Sequence, residues 1–211
     1  MKCVIIAGGH LTPSERIKTI LNQTETIICA DSGARHLRSL GLLPHVLIGD
    51  FDSIDPDDLA FFRSHNVLEK KYPARKDQTD SEICVAWAAE HHASDITMLG
   101  ATGSRLDHTL GNLFLLKKMA DLNIRARIID AHNDIYLVHD VLSLDGAPGD
   151  LLSILPLTRQ ASGITLTGLE YPAVDATFEM GRTIGISNCF AAAKVTITVK
   201  NGLLAVIKSQ D

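Results

Sequence analysis

The acidic segment LIGDFDSIDPDDL, residues 47–59, divides into two parts with different predicted roles. Asp55-Pro56-Asp57-Asp58 has the pattern of a helix start, with Asp as N-cap, Pro at the first helical position and acids in the first turn. Asp50 and Asp52 instead follow the apolar stretch HVLI. Carboxylates at i and i+2 can aim at one point if the chain turns between them. The spacing therefore favours an oxygen-ligand site for a hard cation such as Mg²⁺.

A second charged segment, KDQTDSE at residues 76–82, fits two interpretations. Lys76, Asp77 and Asp80 bring both signs of charge to one place, as a metal–phosphate complex would require. The letters TDSE equally fit a capping box, in which Thr79 caps a helix and Glu82 reaches back to it. Asp80 would then be a first-turn acid that the helix dipole favours. The sequence alone leaves both interpretations open.

A third segment, GATGSRLDH at residues 100–108, contains an arginine without an obvious structural role. Ser104 fits a helix cap, and Asp107 fits the first turn of that helix. Arg105, unlike Ser104 and Asp107, has no role in starting the helix, and its planar guanidinium suits phosphate oxygens. The triplet Asp31-Ser32-Gly33 fits either an N-cap or a ligand contact.

The elements that must position these residues change character along the chain. Up to about residue 130, short β-branched runs alternate with helical patterns, which predicts an α/β domain with a parallel sheet and helices on both faces. Residues 131–211 show only short strands and turns, which predicts an all-β domain, a sandwich. Ligands bind at the carboxyl ends of strands in open parallel sheets. The charged segments above follow predicted strands, although neither a P-loop nor a G-x-G-x-x-G motif accompanies them.

Two local features yield further expectations. Residues 195–199 and 203–207, joined through Asn201-Gly202, predict a β-hairpin because Asn-Gly accepts the positive φ of tight turns. The helix after residue 105 has an apolar stripe that we expect to face the core. The residues of that stripe are Leu106, Leu110, Leu113 and Phe114.

Composition narrows the class of protein. The chain has 211 residues, 45% of them hydrophobic, and can bury one large core or two modest ones. Its apolar runs are far shorter than the roughly 20 residues that span a bilayer, and no signal-peptide pattern begins the chain. A net charge of -5 argues against nucleic acid and membrane partners. We therefore expect a cytoplasmic protein, with its four widely spaced cysteines as reduced thiols rather than zinc ligands or disulfides.

Five segments, in order along nearly the whole chain, resemble the thiamine pyrophosphokinase (thiamin diphosphokinase) family. They are ADSGARHL, IGDFDS, KDQTDSE, GATGSRLDHTLGN and GISN, at residues 30–37, 48–53, 76–82, 100–112 and 185–188. The resemblance implies a transferase with an ATP-binding catalytic α/β domain, residues 1–130, and a thiamine-binding β-sandwich, residues 131–211. The implied reaction moves the pyrophosphoryl group of ATP, with Mg²⁺, to the hydroxyl of thiamine, giving thiamine pyrophosphate and AMP. The implied assembly is a homodimer with sites at the interface.

Carried over by position, the resemblance assigns roles around ATP. The implied metal ligands are Asp50, Asp52 and Asp80. The implied catalytic residues are these three with Arg105 and Asp107. The implied nucleotide-binding residues are Asp31, Ser32, Gly33, Asp77, Thr79, Gly100 and Arg105.

The resemblance also implies that Lys76, Ser187 and Asn188 face thiamine. Two departures from relatives concern this side of the site. Lys76 stands where some relatives carry Gln, and Phe190 is the nearest counterpart of an aromatic that some relatives stack on thiamine. An acidic site also suits thiamine, because its thiazolium ring is cationic.

The residue types are consistent with phosphoryl-group chemistry that needs no covalent nucleophile, since attack by an alcohol builds charge on phosphate oxygens. Asp80 or Asp107 could accept the alcohol proton, and the sequence does not separate a base from a metal ligand. Two alternatives remain at this level. One is another Mg²⁺-dependent phosphotransferase or a nucleotide pyrophosphohydrolase, and the other is a non-catalytic sensor of nucleotide or thiamine.

Overall fold

The protein is described here by a computed structural model that covers residues 1–210. It divides into two compact units, Met1–Ala131 and His132–Asp211. The first unit alternates strands and helices. In chain order they are β1 (Lys2–Ile6), α1 (Glu15–Asn22), β2 (Thr26–Ala30), α2 (Ala34–Leu40), β3 (Val46–Gly49), α3 (Pro56–Ser64), β4 (Leu68–Lys71), α4 (Asp80–Glu90), β5 (Asp95–Leu99), α5 (Leu106–Asp121) and β6 (Arg125–Ile129).

The strands of the first unit form a parallel sheet in the order β6-β5-β1-β2-β3-β4. At the centre of this sheet, Val4 of β1 lies opposite Ile27 of β2 on one side and Thr97 of β5 on the other. Strand β1 is buried almost throughout, as expected for a strand covered on both faces. Strands β2, β3 and β4 follow one another on one side of β1, whereas β5 and β6 lie on its other side. The strand order therefore reverses between β1 and β5.

Helices cover both faces of this sheet. Alternate strand residues such as Val4 and Ile6 join one core cluster with Leu21 of α1, Leu37 of α2 and Phe62 of α3. Successive strand residues point to opposite faces, so Ile5 between them points to the other face. Helix α4 packs against β1, β2 and β3. The predicted α/β class with helices on both faces is confirmed.

Between residues 132 and 210, the regular elements of the second unit are all strands. They are β7 (Asn133–Val138), β8 (Val141–Asp145), β9 (Leu151–Pro156), β10 (Gln160–Thr167), β11 (Ala173–Glu179), β12 (Asn188–Cys189), β13 (Lys194–Thr198) and β14 (Leu204–Ser209). Within this unit, β12-β9-β14-β7 and β11-β10-β13-β8 pair antiparallel. Ile154 and Val206 of the first group share a core with Ile164 and Ile197 of the second. The predicted β-sandwich is therefore confirmed.

The predicted hairpin at residues 195–207 is wrong. Strand β13 pairs with β8 and β10, whereas β14 pairs with β7 and β9 in the other sheet. Gly202 has the positive φ that the motif predicts, 92°, but its turn carries the chain from one sheet to the other. Val195 and Ile197 of β13 enter the same core as Leu204 and Val206 of β14, so the period of two could not reveal which strands are partners.

The predicted core face of α5 is also wrong. Leu106, Leu110 and Phe114 are 68%, 45% and 61% exposed, and Leu113 is only half-buried. The helix instead buries Asn112, Leu115, Leu116 and Met119. Apolar residues occupy more than one face of α5, and the pattern indicated the outer one. Within residues 1–210, no helix combines the length and apolarity needed to cross a membrane.

Candidate active site

A cleft of about 700 Å³ opens at the carboxyl edge of the parallel sheet. Its position matches the point where strand order reverses between β1 and β5, which is where open α/β sheets bind ligands. Its volume lies within the range of small-molecule sites. The loop after each of five strands contributes to its wall. These contributions include Gly8 and Gly9 after β1, Asp31 and Ser32 after β2, Asp50 after β3, Lys76 after β4, and Gly100 after β5.

Glycines allow the loops at the reversal point to approach each other. Gly100 has φ 62°, and a Cβ on it would collide with the carbonyl oxygen of Ala7. Gly33 is buried and does not line the cleft, and a Cβ on it would collide with the carbonyl oxygen of Ile6. Ser32, one residue before it, reaches the cleft wall. Of these predicted nucleotide contacts, Gly100 and Ser32 therefore line the cleft, whereas Gly33 allows the loop after β2 to pack closely on β1.

The chain turns sharply between Asp50 and Asp52. Phe51 has φ 67°, a conformation that is unusual for a bulky residue, and its N–H donates a 3.0 Å hydrogen bond to Oδ1 of Asp31. The Asp52 N–H donates to Oδ1 of Asp50 at 3.2 Å. As a result, carboxylate oxygens of Asp31, Asp50 and Asp52 lie within 4.8 Å of one another. This arrangement offers the hard oxygen ligands that Mg²⁺ prefers.

Asp31 is an unforeseen member of this group. The interpretation of Asp31-Ser32-Gly33 as a side-chain cap is wrong, because these residues form a 3-10 turn leading into α2 without such a hydrogen bond. Burial raises the pKa of the Asp31 carboxyl to about 6, and the nearby carboxylates of Asp80 and Asp50 add to the shift. The backbone hydrogen bond from Asp52 lowers the pKa of Asp50. Positive charge brought to this cluster would relieve its mutual repulsion.

Lys76 places an ammonium group beside the acidic cluster. Its Nζ lies 3.0 Å from Oδ1 of Asp80 and 3.7 Å from Oδ2 of Asp50. Burial lowers the pKa of Lys76, but the carboxylates of Asp80 and Asp50 outweigh it and the net pKa is raised. The Asp80 Oδ1 atom is buried and accepts no well-aligned hydrogen bond, so its contact with Lys76 is an ion pair only.

Of the two hydrogen bonds of the capping box predicted at the start of α4, the structure contains one. Thr79 Oγ1 accepts a hydrogen bond from the Glu82 N–H at 3.2 Å, and Thr79 also lines the cleft. The Glu82 side chain does not return the bond but pairs with Lys118 Nζ at 2.7 Å. Asp77 is exposed and lies outside the cleft lining. The cap thus fixes the helix start that carries Asp80.

Arg105 lines the cleft and is paired with Asp107. The guanidinium donates two hydrogen bonds to the Asp107 carboxylate, the shorter at 2.7 Å, and both side chains are largely exposed. The hydrogen bond from Arg105 lowers the pKa of Asp107 to about 2. Ser104 is not the helix cap, because α5 begins one residue later than predicted, with Arg105 at the N-cap position. His108 also lines the cleft.

Arg35 and His36 have a role in the site that the sequence did not indicate. Arg35 Nη2 donates to the carbonyl oxygens of Gly8 and Gly9, at 2.5 and 3.1 Å, and His36 Nε2 lies 2.9 Å from the Gly9 oxygen. Burial lowers the pKa of His36. These contacts hold the loop after β1 against the start of α2.

The remaining predicted residues belong to the second unit. Ser187 is exposed, with φ 58°, whereas Asn188 is only 5% exposed. The Asn188 amide donates to the Tyr171 carbonyl and accepts from the Tyr171 N–H, at 2.8 and 3.0 Å. Phe190 is 2% exposed and sits in the sandwich core, which rules out a stacking role in this conformation.

Two family models match the chain. Residues 17–128 match the model described as thiamin pyrophosphokinase, catalytic domain, and residues 139–204 match thiamin pyrophosphokinase, vitamin B1 binding domain. The chain belongs to the thiamin pyrophosphokinase family. Within this family, thiamine pyrophosphokinase of Bacillus subtilis is 33% identical over 214 residues, which cover 98% of both chains.

Solved structures of thiamin pyrophosphokinases have the same architecture. The crystal structure of the Bacillus subtilis protein superposes with a TM-score of 0.89 at 32% identity and covers both chains fully. The Geobacillus thermodenitrificans protein gives 0.86 at 32% identity, with 100% and 98% coverage. The Candida albicans protein shares the fold at 17% identity, with a TM-score of 0.85. The two units therefore correspond to the fold of this family.

Proposed function

We propose that the chain is a Mg²⁺-dependent thiamine pyrophosphokinase that transfers the pyrophosphoryl group of ATP to the hydroxyl of thiamine and releases AMP. The observation that carries this proposal is the acidic cleft at the reversal point of the sheet. In a chain of this family, such a cleft combines room for a nucleotide with carboxylates for a metal and an arginine for phosphates. We assign ATP binding and catalysis to residues 1–130.

In this proposal ATP lies across the carboxyl ends of β1 and β5. Ser32, Thr79 and Gly100 border the nucleotide, and Gly33 lets the loop that carries Ser32 pack closely on the end of β1. Arg105 holds the phosphate chain, because its exposed guanidinium can exchange Asp107 for phosphate oxygens. Asp77 is exposed and lies outside the cleft wall, so we assign it no direct contact with the nucleotide.

We assign the metal to the carboxylates of Asp50, Asp52 and Asp80, and we add Asp31. The support is the short separation of the Asp31, Asp50 and Asp52 oxygens, and the buried Asp80 oxygen without a well-aligned hydrogen bond. When bound, Mg²⁺ supplies positive charge that neutralises the phosphate oxygens. Without a cation, the carboxylates of Asp31, Asp50 and Asp52 lie close together, and the Lys76 ammonium contacts Asp50 and Asp80.

The proposed step is a displacement at the β-phosphorus. The thiamine hydroxyl oxygen forms a bond to that phosphorus, the bond to the oxygen bridging the α- and β-phosphates breaks, and AMP leaves with that oxygen. The hydroxyl proton passes to a carboxylate. Asp80 suits this role better than Asp107, because Arg105 lowers the pKa of Asp107 to about 2 and makes it a weak base.

We propose that the second unit, residues 131–211, binds thiamine. Ser187 is the exposed residue of the predicted pair and would contact the substrate directly. Asn188 would act by holding the backbone of Tyr171, since its amide is already satisfied there. Lys76 would face thiamine from the catalytic unit, although its ammonium is occupied by two carboxylates.

We further propose a homodimer that works in the cytoplasm. The exposed apolar stripe of α5, formed by Leu106, Leu110 and Phe114, is of a kind that monomeric proteins rarely leave uncovered. Val174 and Ile184 of the second unit are 83% and 75% exposed and offer a comparable surface. The unpaired state of all four cysteines supports a reducing compartment, which fractionation of the source cells would test.

Product analysis tests the reaction. The protein is incubated with Mg-ATP and thiamine, and the products are identified by mass spectrometry, with EDTA as the control. AMP and thiamine pyrophosphate formed together, only with metal and thiamine, support the proposal. AMP formed without thiamine, or ADP as the product, would instead indicate a pyrophosphohydrolase or another phosphotransferase. Binding of both ligands without turnover would indicate a sensor.

A further inference from the structure

Lys76 is held in place by three oxygen atoms. Its ammonium group donates to the carbonyl of Pro73 at 3.2 Å and contacts Asp80 Oδ1 at 3.0 Å and Asp50 Oδ2 at 3.7 Å. The Lys76 side chain is only 15% exposed. The loop between β4 and α4 therefore presents a fixed charge rather than a freely moving surface lysine.

The position of this charge coincides with the site assigned to a divalent cation. Asp50 and Asp80, the two carboxylates that Lys76 contacts, belong to the metal ligands of the proposed function. Asp50 also belongs to the group of close oxygens with Asp31 and Asp52. A carboxylate oxygen that faces an ammonium group at 3.0 Å cannot offer the same lone pair to a metal ion without losing that contact.

We propose that Lys76 is a built-in counter-ion of this cluster, which balances Asp50 and Asp80 in the metal-free protein and weakens the site for divalent cations. The inference rests on the proposed function, because it takes the metal site from there. When the cation binds to these carboxylates, the Lys76 ammonium lies near a doubly charged ion and opposes its binding. Lys76 thereby sets the cation concentration at which the enzyme becomes competent.

Removing the charge should have two effects of opposite sign. The metal-free protein should become less stable, because Asp50 and Asp80 lose the ammonium group that they contact. Cation binding should become tighter, because the competing charge has gone. A residue that merely supports the loop would not give this combination, since damage to the loop would lower both stability and affinity.

The test measures cation binding without nucleotide or thiamine. Mn²⁺ binding is followed by electron paramagnetic resonance and Mg²⁺ binding by calorimetry, for the full chain and its Lys76→Met, Lys76→Gln and Lys76→Arg variants. We expect Lys76→Met and Lys76→Gln to bind both ions about tenfold more tightly than the unmodified protein at low salt. Lys76→Arg keeps the charge, so its affinity for both ions should stay within about threefold of that of the unmodified protein. In EDTA, the melting temperature of the two neutral variants should fall.

Lys117→Gln is the matched control, because it removes the same charge from an exposed pair with Asp121 on α5. Unchanged or weaker cation binding in both neutral Lys76 variants would overturn the proposal. A similar gain in Lys117→Gln would also overturn it, because the effect would then be one of net charge. Thiamine pyrophosphate formation by the unmodified protein tests the proposed function separately, so each can fail without the other.

Discussion

The backbone N–H of Phe51 donates a 3.0 Å hydrogen bond to Oδ1 of Asp31 and so ties the turn after β3 to the turn after β2. Both residues have positive φ, 67° for Phe51 and 35° for Asp31. A bulky residue in this conformation costs of order 1 kcal/mol or more, which the surrounding contacts must offset. The two turns together aim Asp31, Asp50 and Asp52 at one point, so the geometry of the acidic cluster depends on this bond.

Asp31→Asn should stabilise the metal-free protein at neutral pH. Folding raises the Asp31 pKa from 3.8 to about 6, so the folded state binds this proton more tightly than the unfolded state. The contribution of Asp31 to stability is therefore favourable below about pH 4 and falls as pH rises to about 6. Asn keeps the acceptor for Phe51 and tolerates positive φ, but it carries no charge.

The gain from Asp31→Asn should thus be small near about pH 3.5 and reach about 1–3 kcal/mol near about pH 7. Melting temperatures in EDTA at these two pH values measure it. Activity should fall in the same variant, because a carboxylate of the cluster is lost. An equal change in melting temperature at both pH values would contradict the assigned pKa.

Asp50→Asn should abolish most turnover, whereas Asp57→Asn should not. Asp50 lies in the cleft with the acidic cluster, so its loss should lower kcat by about 100-fold or more. Asp57 is a first-turn acid of α3, whose confirmed cap is Asp55, and its loss should cost less than about 1 kcal/mol of stability. Steady-state rates and melting temperatures of both variants measure this difference. Turnover by Asp50→Asn at the rate of the unmodified protein would remove the central claim.

The positions of the charged residues could be predicted from the sequence because they depend on one local rule. Parallel strands end at a common edge, so charged residues that follow predicted strands, such as Asp50 and Asp80, come together there. The contacts of Asp31 could not be predicted in the same way, because they depend on a turn from a different part of the chain. The contact of Lys76 with Asp50 depends likewise on how β3 and β4 pair.

The two wrong predictions about the fold, the hairpin and the core face of α5, also arise from contacts between distant parts of the chain. Strand β13 alternates its residues correctly, yet alternation does not tell which sheet it joins. In α5, Leu110 and Leu116 are equally apolar, and only the packing of the sheet decides that Leu116 is buried. The sequence pattern defines periodicity, whereas the choice between two apolar faces requires the tertiary structure.

Arg105 should matter through phosphate binding, and Asp107 should not act as the base. Arg105→Ala should raise the KM for ATP and lower kcat/KM by about 10–100-fold, with Arg105→Lys in between because it lacks the planar fork. Because the pKa of Asp107 is about 2, it is ionised throughout any assay between about pH 5 and 9. Asp107→Asn should therefore leave the acidic limb of the kcat/KM profile unchanged. Loss of that limb in Asp107→Asn would reverse the assignment of the base.

Ser187 and Asn188 should respond differently to truncation. Asn188→Ala leaves the Tyr171 N–H and carbonyl without their partner and should cost about 1–3 kcal/mol of stability. Ser187→Ala removes an exposed hydroxyl and should raise the KM for thiamine while leaving the melting temperature and the KM for ATP nearly unchanged. Thermal melts and substrate titrations separate the two. A stable Asn188→Ala with a raised thiamine KM would assign the contact to Asn188 instead.

The exposed stripe of α5 should be required for the dimer and not for the fold. Leu110→Glu combined with Phe114→Glu changes side chains that are 45% and 61% exposed, so the melting temperature of the isolated chain should change little. If a second copy covers the stripe, each Glu would be buried at an apolar contact and the dimer would dissociate. Light scattering after size exclusion measures the mass, and Leu43→Glu, 41% exposed in a loop, is the control. A dimer that survives the double change would show that the interface lies elsewhere, and a monomer that keeps full turnover would show that the site is complete within one chain.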